Sequence, residues 1–153
     1  MDETKTPDEL RALATSIVDA NQFMTLATTG ADGAPWASPV WYAHAAHRVF
    51  YWVSSPEAQH SRNLAVRPEL AIVIFDSHLT GGWNAVYLSA TAEELEDVEE
   101  GIAIFSARSE ERGFGPWGRD RVEPPAKHRL YRATASEHFV LDPHDERIAV
   151  DLH

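Results

Sequence analysis

Cysteine is missing from the 153 residues. Disulfides, thiol catalysis and cysteine-ligated zinc are thereby excluded, and a thiol-free chain suits the cytoplasm without requiring it. Missing too is any apolar stretch near the roughly 20 residues that cross a bilayer as a helix. The opening MDETKTPDEL has neither the basic nor the apolar run of a secretory leader, so no secretion signal is expected. Basic residues are scarce: 13 Lys plus Arg face 24 Asp plus Glu, a formal net charge of −11. Such a field repels a nucleic-acid duplex or an anionic membrane, and no basic stripe overrides it, so neither is an expected partner. A small anion needs only a local positive site and stays compatible. What the chain does have is 44% hydrophobic residues, enough for one core, so residues 1–153 read as a single domain.

Thr6-Pro7-Asp8-Glu9 is a helix start, with Thr6 as N-cap, Pro7 in the first turn and Glu9 closing a capping box. Leu10, Leu13, Ala14, Ile17 and Val18 follow at helical spacing and Asn21 is the expected stop, which predicts a helix over 7–20. Strand patterns begin at Phe23. FMTLATT, Pro35 to Tyr42 and Arg48 to Ser54 are aromatic and β-branched runs, the first two joined by a turn carrying Gly30 and Gly33. Pro39 places its strand at an edge, at a bulge, or where a ligand meets the backbone. Ser55-Pro56 predicts a short helix to about Leu64 with Ser55 as N-cap. Leu70 to Phe75 is a continuous apolar run of the kind found in central strands. AVYLSATAEEL turns Val86, Leu88, Ala90 and Ala92 to one side, and a helix carrying Val98, Ile102 and Phe105 follows the solvated acidic run EELEDVEE. Residues 110–125 read as loop, HRLYRATA and HFVL as two last strands, and 142–153 as an acidic tail. Helix, three strands, short helix, two strands, helix, two strands argues for a mainly β fold, a closed barrel with peripheral helices.

The segment RVFYWVSSPEAQHSRNLAVRPELAIVIF carries the clearest chemistry. A strand ends in Ser54 and Ser55 at a helix start, where free N–H groups and the helix dipole attract a phosphate. Gln59, Arg62 and Asn63 share a helix face, with His60 a quarter-turn away. These residues suit phosphate or ribityl oxygens, and they suit an ordinary capped surface helix as well. The residue types alone leave both readings open.

WVSS, AQHSRNL, Pro68 and LAIVIF, preceded by the hairpin FMTLATTGADGAPWASPVWY, resemble the pyridoxamine 5′-phosphate oxidase-like split barrels in order and spacing. The likeness runs from about Leu10 to Leu141. It implies a split β-barrel of the FMN-binding type working as a homodimer, with FMN lying across the barrel at the dimer interface. It also implies phosphate-side contacts from Ser54, Ser55, Gln59, His60, Arg62 and Asn63, and ring-side contacts from Ala37, Ser38, Pro39 and Val40. Where many members carry an Arg-Lys pair, this chain has Gln59 and His60, which leaves room for a deazaflavin as the alternative cofactor.

Other signals weigh less. Residues 113–118 match GxGxxG without the strand before or the helix after that a dinucleotide fingerprint needs. No GxSxG elbow is present. His44 and His47 fall in a hairpin turn with no carboxylate at ligand spacing beside them, so they read as solvated turn residues and no metal site is expected. Five tryptophans serve mainly core and interface, with Trp83 and Trp117 in loops as the candidates for stacking on a planar cofactor or substrate. The resemblance implies an FMN-dependent oxidoreductase moving a hydride through flavin N5 to or from a small molecule. Its alternatives are a deazaflavin-dependent reductase on the same fold and a flavin- or small-molecule-binding protein without turnover.

Overall fold

A computed structural model describes residues 4–78 and 84–153. Helix α1 (Pro7–Ala20) begins as its sequence requires: the Thr6 hydroxyl accepts the Glu9 N–H at 3.2 Å, and Pro7 stands in the first turn. At its far end the Asn21 amide donates to Ile17 O at 2.8 Å. Strands follow as β1 (Phe23–Thr29), β2 (Pro35–Trp41), β3 (Ala43–Ala45) and β4 (Val49–Ser54). Then come α2 (Gln59–Val66), β5 (Glu69–Phe75), β6 (Ala85–Glu94), α3 (Glu99–Glu111), β7 (Arg129–Leu141) and β8 (Arg147–Val150). No described helix is long and apolar enough to cross a membrane.

All strand pairs are antiparallel, in the order β2-β1-β5-β6-β7-β4-β3, with β8 added on β7. The sheet curls so that β2 comes back towards β4 without pairing with it, which makes a barrel with a split. The alternating side chains of β1, β4, β5 and β6 fill the interior: Leu26, Phe50, Trp52, Ile72, Ile74 and Val86 are fully enclosed, and α1 closes one end with Ala14 and Val18.

Outside the barrel a second cluster forms where α3 lies across β3, β4 and β7, burying Tyr51, Ile102, Phe105 and Leu130. The helix comes close because Gly101 faces the sheet. A Cβ there would sit 2.8 Å from the Tyr51 ring and 2.9 Å from Leu130.

Four expectations change. The run to Tyr42 ends at Trp41 and restarts as β3, so the hairpin into β4 is a separate short pair. Helix α2 starts at Gln59: Ser55 spends its hydroxyl on the Glu57 N–H (3.1 Å) in a turn that precedes the helix, and Ala58 is the cap residue. HRLYRATA and HFVL are one strand, β7, which runs on past a register shift opposite Ser89 and Ala90. Part of the acidic tail pairs with β7 as β8, because Ile148 and Val150 pack on the core.

Candidate functional site

Strand β4 delivers Ser54 and Ser55 to the start of α2, and the six expected phosphate-side residues separate there into two groups. Ser54, His60 and Asn63 turn inward and are buried. His60 Nε2 and Ser54 Oγ lie 2.8 Å apart, Asn63 Nδ2 donates to Thr28 Oγ1 at 3.0 Å, and Gln59 Nε2 donates to Asn63 Oδ1 at 2.7 Å. Burial lowers the His60 pKa, so the imidazole is neutral near pH 7 and brings no charge. This network locks α2 against β1: three of the six residues are buried in it, and Gln59, itself exposed, spends one amide proton on it.

The other group faces outward. Ser55 is half-buried, while Gln59 and Arg62 are exposed. They surround the beginning of α2, where Ala58 has no side chain able to cap and no side-chain cap bond forms. Uncapped first-turn N–H groups beside a guanidinium and a hydroxyl are a chemically sound cradle for a phosphate. Arg67, one residue past the helix, donates to Gly30 O at 3.2 Å and ties the β1–β2 turn to it.

Strand β2 is an edge strand, one of the three settings that Pro39 allows. Ala37 and Pro39 are exposed, Ser38 is half-buried, and Val40 points into the core, so its contact with any ligand is through its backbone.

An aromatic groove of about 520 Å³ opens where β2 and β4 end, walled by Phe23, Trp41, Val53, Phe105, Phe114 and Trp117. Its rings meet edge to face: Trp41 on Phe105 at 5.2 Å, Trp41 on Phe114 at 5.9 Å and Phe105 on Trp117 at 5.3 Å. Arg121 lies over the Trp117 ring at 3.3 Å, and the buried Ser109 hydroxyl in the wall has no protein partner. Trp117 therefore serves α3 packing and the groove together, with its own face covered by Arg121. Trp83 lies outside the described residues.

Sequence reasoning missed Trp41, Phe105, Phe114 and Arg121 as groove residues. Aromatic spacing within α3 and β2 signals burial, and the approach of the 113–121 loop to β2 is a tertiary fact. The reading of His44 and His47 as solvated is corrected as well. Both rings are largely covered, and both reach the Asp19 carboxylate at the end of α1, at 2.8 and 3.0 Å.

A family model described as pyridoxamine 5′-phosphate oxidase matches residues 7–141. The pyridoxine/pyridoxamine 5′-phosphate oxidase of Burkholderia multivorans (strain ATCC 17616 / 249) is 30% identical over 135 residues, 86% of this chain and 61% of the relative. The chain thus spans about three fifths of that relative's length. Among solved structures, HutZ, the heme storage protein from Vibrio cholerae, aligns at a TM-score of 0.69 and 21% identity, covering 94% of this chain and 99% of the other. An F420 reductase aligns at 0.58 and 21% identity, covering 80% and 93%. At such identities the two structures speak for the fold alone. With the family model spanning almost every element of the barrel, the chain belongs to the pyridoxamine 5′-phosphate oxidase family.

Proposed function

We propose that this protein is an FMN-dependent oxidoreductase that works as a homodimer on a small molecule. The observation that carries the reading is the uncapped start of α2, flanked by Ser55, Gln59 and Arg62, at the end of the strand that also forms a wall of the aromatic groove. Phosphate and ring of a flavin require two unlike environments, one rich in N–H donors and one apolar and planar-walled.

When bound, FMN supplies reversible two-electron hydride transfer at N5. The chain's own residues bind and orient. The α2 N–H groups and Arg62 would hold the phosphate, Ser55 would donate to it, and the backbone of β2 from Ala37 to Val40 would offer edge contacts to the ring. Trp41, Phe105 and Phe114 would line the ring's side of the site, where the Ser109 hydroxyl, which has no protein partner, could donate to a bound ligand.

The homodimer is supported by a bare apolar sheet face. Phe23, Ala27, Ala37, Pro39, Ala71 and Phe75 all point outward and exposed, with Glu69 the charge at the far end of the β5 row, in a chain of net charge −11. Phe23 and Phe75 are 58% and 51% exposed. Such a face on a soluble chain calls for a cover, and a second copy supplies it symmetrically.

A deazaflavin is the second reading. Gln59 is neutral, His60 is buried and uncharged, and Arg62 is left as the cation on the exposed side of the first turns, a thin charge for a phosphate dianion. Titration of the cofactor-stripped protein with FMN, followed by quenching of flavin fluorescence, tests the choice. Saturable binding that weakens in Arg62→Gln supports FMN, whereas no FMN binding together with saturable F420 binding moves the assignment to the deazaflavin.

A further inference from the structure

The end of α1 and the β3–β4 hairpin bring together three metal-ligating side chains that flavin binding does not use. His44 Nε2 and His47 Nε2 approach the same oxygen, Asp19 Oδ1, at 2.8 and 3.0 Å, and the three ligand atoms lie within 4.8 Å of one another. Among the described residues this is the one such group of three or more. We propose that Asp19, His44 and His47 form a binding site for a borderline divalent transition-metal ion, of which Zn²⁺ is the probe.

The donor set selects that class. Two imidazoles and a carboxylate suit Zn²⁺ and its first-row neighbours, whereas Ca²⁺ and Mg²⁺ demand more oxygen ligands. Spacing agrees. Bonds of about 2.1 Å to a tetrahedral Zn²⁺ put ligand atoms about 3.4 Å apart, so each contact lengthens by about half an ångström. Three protein ligands leave the fourth position open to a cleft of about 650 Å³ lined by Ile104, Ala107, Arg108, Glu111 and Arg112, where a water completes the shell.

The surroundings hold the ligands in place. Ala46 and His47 take the left-handed conformation at φ 53° and 58°, a costly backbone choice for non-glycine residues, and it sets the His47 ring against that of His44, with centroids 4.5 Å apart. Arg108 and Arg112 donate to the Asp19 carbonyl at 2.9 and 3.0 Å, fixing the main chain beneath the carboxylate. Asp19 also stands in the last turn of α1, which has no basic residue, so carboxylate and helix dipole both favour a cation. Glu111, 3.3 Å from Arg108, offsets one of the two guanidinium charges facing the ion.

The proton inventory closes. Without metal, His44 Nδ1 accepts the His47 N–H at 3.2 Å, so the ring proton sits on Nε2 and is donated to Asp19. The metal takes that Nε2 position. The His44 proton moves to Nδ1, which gives up the long contact from the His47 N–H, and the proton that His47 Nε2 shares with Asp19 moves to His47 Nδ1 in the same way.

The test is calorimetric titration of the chelator-treated full chain with ZnCl₂, repeated with CoCl₂ in the visible. One ion per chain, a Kd of about 10 μM or tighter, and Co²⁺ bands of a four-coordinate site are expected. Loss of an outer-shell partner alone costs about 10–100-fold in metal affinity, so His47→Gln and Asp19→Asn are expected to lose about 100-fold or more. His153→Gln, at a surface pair two residues apart, leaves binding unchanged. Far-ultraviolet circular dichroism verifies that each variant is folded, and Zn²⁺ raises the Tm of the natural chain but not of Asp19→Asn. Absence of saturable Zn²⁺ binding by the natural chain overturns the site. So does binding that persists undiminished in both folded ligand variants, which assigns the ion to other surface histidines.

Discussion

The two halves of the curled sheet carry the same kind of sequence and end up in opposite surroundings. On β4 both faces are covered: Phe50 and Trp52 fill the barrel, while Tyr51 lies beneath α3. On β5 only Leu70, Ile72 and Ile74 are covered, and Ala71 and Phe75 face outward with nothing over them. Each strand reads as apolar throughout. One half is covered by the chain's own helix and the other is left bare, so an apolar run identifies a strand with two faces to bury but not what buries the second.

The sharpest way to break that contrast is a charge on the bare half. Ala27→Glu and Ala71→Glu, neighbours across β1 and β5, would bring like charges together in the proposed homodimer. Dimer dissociation is expected to rise by at least about a hundredfold, about 2.7 kcal/mol, with the monomer still folded. Analytical ultracentrifugation across a concentration series reads this directly. If the double variant stays as associated as the natural chain, the bare face is not the interface.

On the covered half the expected loss is in folding stability. Gly101→Val forces branched carbon against the Tyr51 ring and Leu130, with an expected cost of about 2–3 kcal/mol in urea unfolding. An unchanged midpoint would mean that α3 does not press on the sheet as closely as the structure has it.

Arg62→Gln addresses the site at the start of α2. It removes one charged donor to the phosphate, so FMN affinity is expected to fall about tenfold, near 1.4 kcal/mol, with little change in stability because Arg62 is exposed. Equal affinity in the two proteins would remove Arg62 from the cradle.

The smallest effect concerns pH. Burial holds the His60 pKa below its ordinary value near 6.5, so the unfolded chain takes up a proton that the folded chain refuses. The stabilisation is fully present above about pH 6.5 and is lost as pH falls towards the lowered folded value. His138 is lowered mainly by burial too and adds to the same slope. His60→Asn is expected to flatten the decline of unfolding free energy between neutral and mildly acidic pH; an equally steep decline would assign the effect elsewhere.

Local signals were legible wherever a few neighbouring residues decide the outcome. Thr6, Pro7 and Glu9 start α1, Pro39 marks an edge strand, and Val86, Leu88, Ala90 and Ala92 turn inward as their alternation predicts. Signals failed where two local solutions compete or the partner is remote. Ser55 carries the chemistry of a helix cap, yet a turn takes its hydroxyl before the helix begins. The polar stretch in the middle of β7 looks like a break, but β4, β6 and β8 pair along it and hold it straight through. The site divides similarly. Gln59 and Arg62 face outward, while Ser54, His60 and Asn63 are drawn inward by Thr28 and by one another. Asp19 is 25 residues before His44, too far for any spacing rule to join them.

The central claim is that this barrel holds FMN, and the most direct measurement is the visible absorption of the protein purified without added cofactor, recorded before and after denaturation. The account predicts a yellow protein whose spectrum shifts on unfolding to that of free FMN, in an amount approaching one per chain. A colourless protein that also fails to take up added FMN would contradict it.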